Sequence, residues 1–478
     1  MARFDYDVGV IGGGAAGLSV TSGAAQFGAK TLLVEKEAEL GGDCLHYGCV
    51  PSKTLIQSAH VYQTMKRAES FGLPGVQSGP VDFTKVAERI RRVIATIQEH
   101  DSVARFQGLG AEVRFGAARF CDEHQVEVDG KRVTAGKWVV ATGSSPAVPA
   151  LPGLAATPHI TNRQLFSLEK LPVSLVVLGG GPIAVEMAQA FARLGSRVTL
   201  IQRSEQILRR EDRDMAELVS TALAAEGVIL HLGATVEEVT DLGNRRQIRI
   251  STKGGEHLAI EAESILVALG RAANVGGLGL KEVGVDFSER GIVVDRRLRT
   301  SQPHIYAAGD CNGAHLFTHA AGYEAGIVIA NAILHLPRRA DFTWLPWATY
   351  CDPELASIGL NEKAARQAGV DYTVWQEEFS ANDRALAEGA GQGRLKLLLD
   401  RRQKPLGVQI CGPQAGELLC EWVAVLNGGM KLSGLAGAIH PYPTLAEINK
   451  RVAGAVLAPK LFSPLVRKML KVLFRYQG

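Results

Sequence analysis

The sequence predicts an α/β fold, on two observations. One supersecondary pattern, an apolar strand running through closely spaced glycines into a helix and on to a second strand, occurs twice. At 478 residues the chain is also long enough for several domains, each able to bury its own core.

The first copy opens with "DVGVIGGGAAG", a short apolar strand that runs through Gly12, Gly14 and Gly17. "LSVTSGAAQFG" continues as a helix, and "KTLLVE" is the next strand, ending at Glu35. Each part has a physical reason. Glycines permit the tight turn and a close backbone approach, the helix N-terminus presents amides to a pyrophosphate, and the terminal acid can accept ribose hydroxyls. The second copy, "LVVLGGGPIAV" followed by "EMAQAFARLG" and "RVTLI", places Gly179 and Gly181 in the same way. Two such Rossmann-like units imply two dinucleotides, and hence an electron relay between them.

The ends of the two copies differ. The second closes on "LIQRSEQILRR", with Gln202 where an acid is expected and Arg203, Arg209 and Arg210 following. Guanidinium forks match a ribose 2′-phosphate, so the pattern favours NADPH, with NADH possible. A solvated basic face is the plainer reading of the same arginines.

Between the copies lies "GGDCLHYGCVPSK", with Cys44 and Cys49 five positions apart. A zinc site needs more ligands at short spacing, and only His46 is at hand, so no metal is expected. Across a regular helix, five residues at about 1.5 Å each separate the Cα atoms by about 7.5 Å, beyond the usual disulfide range of about 4.4 to 6.8 Å. A bridge therefore requires a distorted turn, which Gly48 permits, and a strained bridge suits a working redox pair more than a structural one.

Composition excludes other classes. Hydrophobic residues make up 46% and charged residues 21%, and 52 Lys and Arg against 49 Asp and Glu leave a net charge of only +3, no footprint for nucleic acid. No apolar run of about 18 residues suggests a membrane span. The start "MARFDYDVGVIGGG" lacks a signal-peptide pattern and the seven cysteines are an odd number, so the cytoplasm is the expected compartment.

With these motifs the chain resembles the pyridine nucleotide-disulfide oxidoreductases, the flavoenzymes that include glutathione reductase, lipoamide dehydrogenase and mercuric reductase. Further matches are "VVATGSSPAVP" with Thr142 and Gly143, "ALGRAAN" with Gly270, "TSQPHIYAAGD" ending at Asp310, and "LPWATYCDPELASIG". The resemblance implies an FAD domain in two parts, residues 1–150 and 271–345, an NAD(P) domain at 151–270, and a dimerisation domain at 346–478. It implies FAD held by Gly12, Gly14, Gly17, Glu35, Gly42, Lys53, Thr142, Gly143, Asp310 and His319, and the nicotinamide cofactor on Gly179, Gly181, Arg203, Arg209 and Gly270. Cys49 becomes the sulfur facing the flavin and Cys44 the exchanging one, with Lys53 paired to Glu186. Pro182 stands where several relatives carry a tyrosine over the nicotinamide pocket.

Near the C-terminus "HPYPTLAE" departs from the disulfide reductases. Tyr442 occupies the place of their catalytic histidine, with His440 at the earlier histidine position and Glu447 at the glutamate. This resembles mercuric reductase more than glutathione reductase, yet no cysteine follows Cys420 to hand a metal in. The implied function is NADPH-driven reduction, in a homodimer, of a small-molecule or metal-ion acceptor, with lipoamide dehydrogenase as the alternative. The tail adds a rival of another class. Leu461, Phe462, Leu465, Val466, Met469, Leu470, Leu473 and Phe474 form one apolar stripe among basic residues, the pattern of a helix packed on the protein's own dimer or, as the rival reading, lying on a membrane face or on a partner.

Overall fold

The computed structural model describes residues 4–77 and 79–476, with only the backbone of Tyr476. Two compact units emerge: Met1–Arg203 with Ala234–Asp341, and Ser204–Gly233 with Phe342–Gly478.

In the first unit, β1 (Tyr6–Ile11), α1 (Ala15–Gln26) and β2 (Thr31–Glu35) form the first strand–helix–strand motif. They are followed by α2 (Gly42–His46), α3 (Cys49–Lys66), α4 (Phe83–Gln98), α5 (Val103–Gly108), β3 (Ala111–Phe115) and β4 (Lys131–Val140). The strands lie in the order β3-β2-β1-β4, and these pairings are parallel. Both faces of such a sheet are covered, which explains why β1 and β2 read as nearly unbroken apolar runs. The second motif is β5 (Ser174–Leu178), α6 (Pro182–Leu194) and β6 (Arg197–Gln202), with β7 (Ser264–Val267) on the other side of β5. The chain then returns to the first sheet as β8 (Ile305–Ala307), parallel to β4, and leaves it along α7 (Thr318–Ala332).

The two motifs are built alike. Gly12 has φ +109° and Gly179 φ +115°, and a Cβ added to either would stand 2.3 or 2.4 Å from the carbonyl oxygen of Ala141 or Ala268. Only glycine allows that backbone contact with the adjacent strand end.

The second unit carries a five-stranded antiparallel sheet of β9 (Pro346–Thr349), β10 (Glu354–Gly359), β11 (Thr373–Glu378), β12 (Arg394–Leu399) and β13 (Pro405–Gly412), in the order β9-β10-β13-β12-β11. Its core packs Leu395, Leu397, Val408 and Ile410 of the sheet against Trp422 of α8 (Ala415–Asn427) and Val452 of α9 (Glu447–Leu461). The side chain of Lys396 is fully buried, with its ammonium 3.1 Å from Asp212, 2.7 Å from Asp214 and 2.8 Å from Glu362. These carboxylates form the one metal-like cluster among the described residues, and Lys396 already supplies its cation.

The tail corrects one expectation. Its stripe is not continuous, because α9 ends at Leu461 and a separate helix, α10 (Pro464–Tyr476), follows. Ser463 accepts the Val466 N–H at 3.4 Å and Pro464 begins the new helix, start signals that outweigh the apolar periodicity running through them.

Candidate functional site

The cysteine segment folds as two helices rather than one. Short α2 carries Cys44 and ends at His46; Tyr47 and Gly48 break the path, and Cys49 is the first residue of α3. Gly48 makes the break possible, since an added Cβ would lie 2.9 Å from the Asp43 carbonyl oxygen and 3.3 Å from the Cys44 Cα. Both thiols are free, and each shifts the titration of the other.

Their environments push them apart. Hydrogen bonding from Cys44 first, then from the Thr318 hydroxyl at 3.3 Å, and the charge of Lys53 bring the Cys49 thiol down to about 6, against the opposing effect of burial. The hydrogen bond to Cys49, together with burial, raises Cys44 far above the ordinary thiol range. The reduced pair thus holds its negative charge on Cys49 and its proton on Cys44. Cys44 also lines a cavity of about 420 Å³ that reaches Ser19, Ser22, Asp101, Arg105 and Thr318.

A polar brace fixes this segment. Asp43, beside Cys44, accepts from Asn162 at 3.2 Å and pairs with Arg271 at 3.0 Å. Arg271 also donates through Nε to Ser144 Oγ at 2.7 Å, and Ser144 donates to Asp310 at 2.5 Å. Burial raises the Asp310 carboxyl against the lowering effects of Ser144 and Arg271. Lys53 donates to Glu186 at 2.8 Å, the pair that the family resemblance implies. None of Asn162, Asp43 or Thr318 was anticipated; their partners lie far along the chain and leave no local pattern.

The cradle fits FAD. Glu35 accepts the Gly13 N–H at 2.5 Å, which aims its carboxylate at the glycine turn. A Cβ on Gly42 would fall 2.7 Å from the Gly14 Cα, so the two backbones meet where any side chain would fill the space. A Cβ on Gly17 would lie 1.8 Å from the Gly12 carbonyl oxygen. Thr142 Oγ1 donates to the Asn274 carbonyl at 2.7 Å beside Gly143. His319 is exposed in the first turn of α7 and stacks on Phe317 at 5.3 Å. In the second motif Gln202 takes the place of Glu35, with its side chain 3.0 Å from the position a Cβ would take on Gly180. Gly181 is open, with nothing within 4 Å of an added Cβ, and Gly270 has φ +127°. Arg203 is exposed in the same unit. Arg209 belongs to the other unit, where its carbonyl accepts from Lys363 at 2.6 Å, and Arg210 lies 5.0 Å over the Trp347 ring.

The C-terminal residues separate into two environments. Tyr442 is 70% exposed, and its hydroxyl donates to Asp383 at 2.9 Å, which raises its pKa above the ordinary tyrosine value. Glu447 begins α9. His440 turns inward to Glu421 at 2.8 Å, and Glu421 also accepts from Asn449, whose Oδ1 receives the Trp422 indole N–H. Among these groups His440 is part of an internal network and Tyr442 faces solvent.

Residues 6–325 match the model described as pyridine nucleotide-disulphide oxidoreductase, and residues 345–453 match the dimerisation domain of the same family. The chain belongs to that family. FAD and NAD(P)H are therefore its cofactors, and the second match supports a homodimer. Mercuric reductase of Staphylococcus aureus is 33% identical over 451 residues, covering 94% of this chain and 82% of that one. Dihydrolipoyl dehydrogenase of Chlorobaculum tepidum is 35% identical over 458 residues, covering 94% and 96%. In structure the chain is similar to the HOCl-induced flavoprotein disulfide reductase RclA from Escherichia coli, with TM-score 0.85, 29% identity, and coverage of 94% of this chain and all of that one. No helix among the described residues is long and apolar enough to cross a membrane.

Proposed function

We propose that the enzyme passes electrons from NADPH through Cys49 and Cys44 to a thiol-reactive, disulfide or metal-ion acceptor. The observation that carries this reading is the asymmetry of the two thiols: one held as a thiolate beside Lys53, the other protonated and opening into a cavity.

FAD bound at the first motif supplies hydride acceptance and two-electron transfer. The chain's residues do the rest. Opening the Cys44–Cys49 bridge consumes two electrons and one proton and leaves the Cys49 thiolate and the Cys44 thiol. With a disulfide acceptor, Cys44 loses its proton, attacks one sulfur and releases a thiolate; Cys49 then attacks Cys44, reforms the bridge and frees the second thiol. A metal ion instead binds the pair as thiolates and takes up the two electrons as the bridge reforms. Cys44 needs a proton acceptor in either case, because its neighbours disfavour its thiolate. Tyr442 of a second copy, exposed and facing outward, is the group proposed to complete the site. A phenol is a weak base at neutral pH, so this site favours acceptors that bind thiolates over those that need a proton shuttled.

NADPH is the proposed donor because Gln202 leaves out the carboxylate that would repel a 2′-phosphate and Arg203 stands exposed next to it. The tests are NADPH and NADH oxidation with mercuric ion, glutathione disulfide and lipoamide, on wild type, Cys44→Ser and Arg203→Glu. Turnover retained by Cys44→Ser removes the thiol route. A wild-type preference for NADH of about tenfold, or 1.4 kcal/mol, removes the arginine argument. Fast lipoamide reduction moves the assignment to the dehydrogenase branch.

A further inference from the structure

We infer that α10 is a docking helix for an anionic lipid surface. Over Pro464–Tyr476, at about 100° per residue, Leu465, Val466, Met469, Leu470, Val472, Leu473 and Phe474 cover an arc of about 200°. The remaining narrow face carries Arg467, Lys468, Lys471 and Arg475, and no acidic residue lies anywhere from Lys460 to the end of the chain. The apolar arc is not consumed by the protein's own core. Leu465 is 70% exposed, Met469 60%, Leu473 51% and Phe474 67%, and Leu461 and Phe462 just before the helix are similarly open.

Charge and shape together select the occupant. A helix packed on a folded surface buries a stripe and exposes the rest, as α8 does with Leu418, Leu419 and Trp422 buried and Glu417, Cys420 and Asn427 exposed. In α10 more than half the circumference is apolar, and every charge on the rest is positive. Lying at the boundary between headgroups and acyl chains, such a helix buries the wide face while its basic face stays among lipid phosphates. A second copy of this chain is less suited, since one facing helix covers only the centre of an arc of about 200° and leaves its flanks open, and the tail offers no acidic residue to meet the basic face. The helix is about 20 Å long, enough to lie along the surface and too short to cross it. The inference is independent of the acceptor and rests on the tail alone.

The test uses the FAD-loaded full-length enzyme and vesicles of phosphatidylcholine, with and without about 40% phosphatidylglycerol. Full-length protein is expected to sediment with the anionic vesicles and to partition at least about tenfold less into the neutral ones. A chain ending after Lys460 should lose the sedimentation while its NADPH oxidation rate stays unchanged. Met469→Glu with Leu473→Glu, and separately Lys468→Glu with Lys471→Glu, should each reduce partitioning by about tenfold or more, and Lys468→Arg with Lys471→Arg should preserve it. Absence of sedimentation, sedimentation unaffected by truncation, or a dimer that falls to monomer when the tail is removed would each overturn the inference, the last by showing that a second copy covers the helix.

Discussion

Lys53 Nζ lies 2.8 Å from Glu186 Oε2 and joins α3 to α6, with the Glu186 side chain 5% exposed and that of Lys53 36%. A cation held there by a buried carboxylate cannot swing away, so its charge stays close to Cys49, whose thiol it lowers. Lys53→Met should slow reduction of the enzyme by NADPH about 10²-fold, in line with loss of one preorganised electrostatic group. Glu186→Gln should slow it less, by loosening Lys53 without removing it. Stopped-flow reduction of the flavin gives both rates, and a rate indifferent to Lys53→Met would take this residue out of the electrostatic role.

The Cys49 thiol should titrate at about 6. It is a thiolate above that pH and a thiol below it, so the reactive form is lost on acidification. In Cys44→Ser the ultraviolet thiolate absorbance should show this midpoint, because the serine hydroxyl replaces the lost hydrogen-bond donor. Cys44→Ala should raise the midpoint by about one unit, and so should Lys53→Met. A midpoint near the free cysteine value of about 8.5 would reverse the roles given to the two sulfurs.

Tyr442 is committed to Asp383, and that hydrogen bond raises its pKa further from neutrality. Turnover with glutathione disulfide and lipoamide should therefore be slow. Tyr442→His should raise it by about 10² or more, the contribution of a well-placed general base. Tyr442→Phe should impair the native acceptor reaction while leaving reduction by NADPH intact. Steady-state rates paired with stopped-flow data test both, and fast lipoamide reduction indifferent to either change would assign proton transfer to another group.

Lys396 holds the second unit together through three carboxylates. Lys396→Met leaves them facing one another and should lower stability by about 3 kcal/mol or more at neutral pH. Burial opposes the charged form of Glu362, but hydrogen bonds from Lys396 and Arg366 overcome it and hold the carboxyl at about 2, against an ordinary 4.5. Its stabilising contribution is therefore complete above about pH 4.5 and lost as pH falls toward 2. The gap between wild type and variant should narrow over that window in calorimetric unfolding, and a gap independent of pH would mean that packing, not charge, sets the effect.

The parts of the fold legible in the sequence are those where the backbone itself is the constraint. Gly12 and Gly179 are forced by contacts with the next strand end, so their spacing announces the two motifs. Lys53 and Glu186 were legible only through family resemblance, because an ion pair between distant helices has no periodicity of its own. Asp43, Asn162, Thr318 and Asp383 were missed for the same reason. The tail was half legible. Its amphipathic pattern was visible, but the break at Ser463 and Pro464 was not, since apolar residues continue on both sides of it.

The division of labour between the thiols also sets a voltage. A pair that keeps one proton on Cys44 and none on Cys49 stores two electrons with a single proton. Its midpoint potential then moves by about 30 mV per pH unit, where a fully protonated pair would move by about 59 mV. Above a pH of about 6, where Cys49 is ionised, the proposed redox couple therefore has a midpoint potential half as sensitive to acidity as that of an ordinary dithiol.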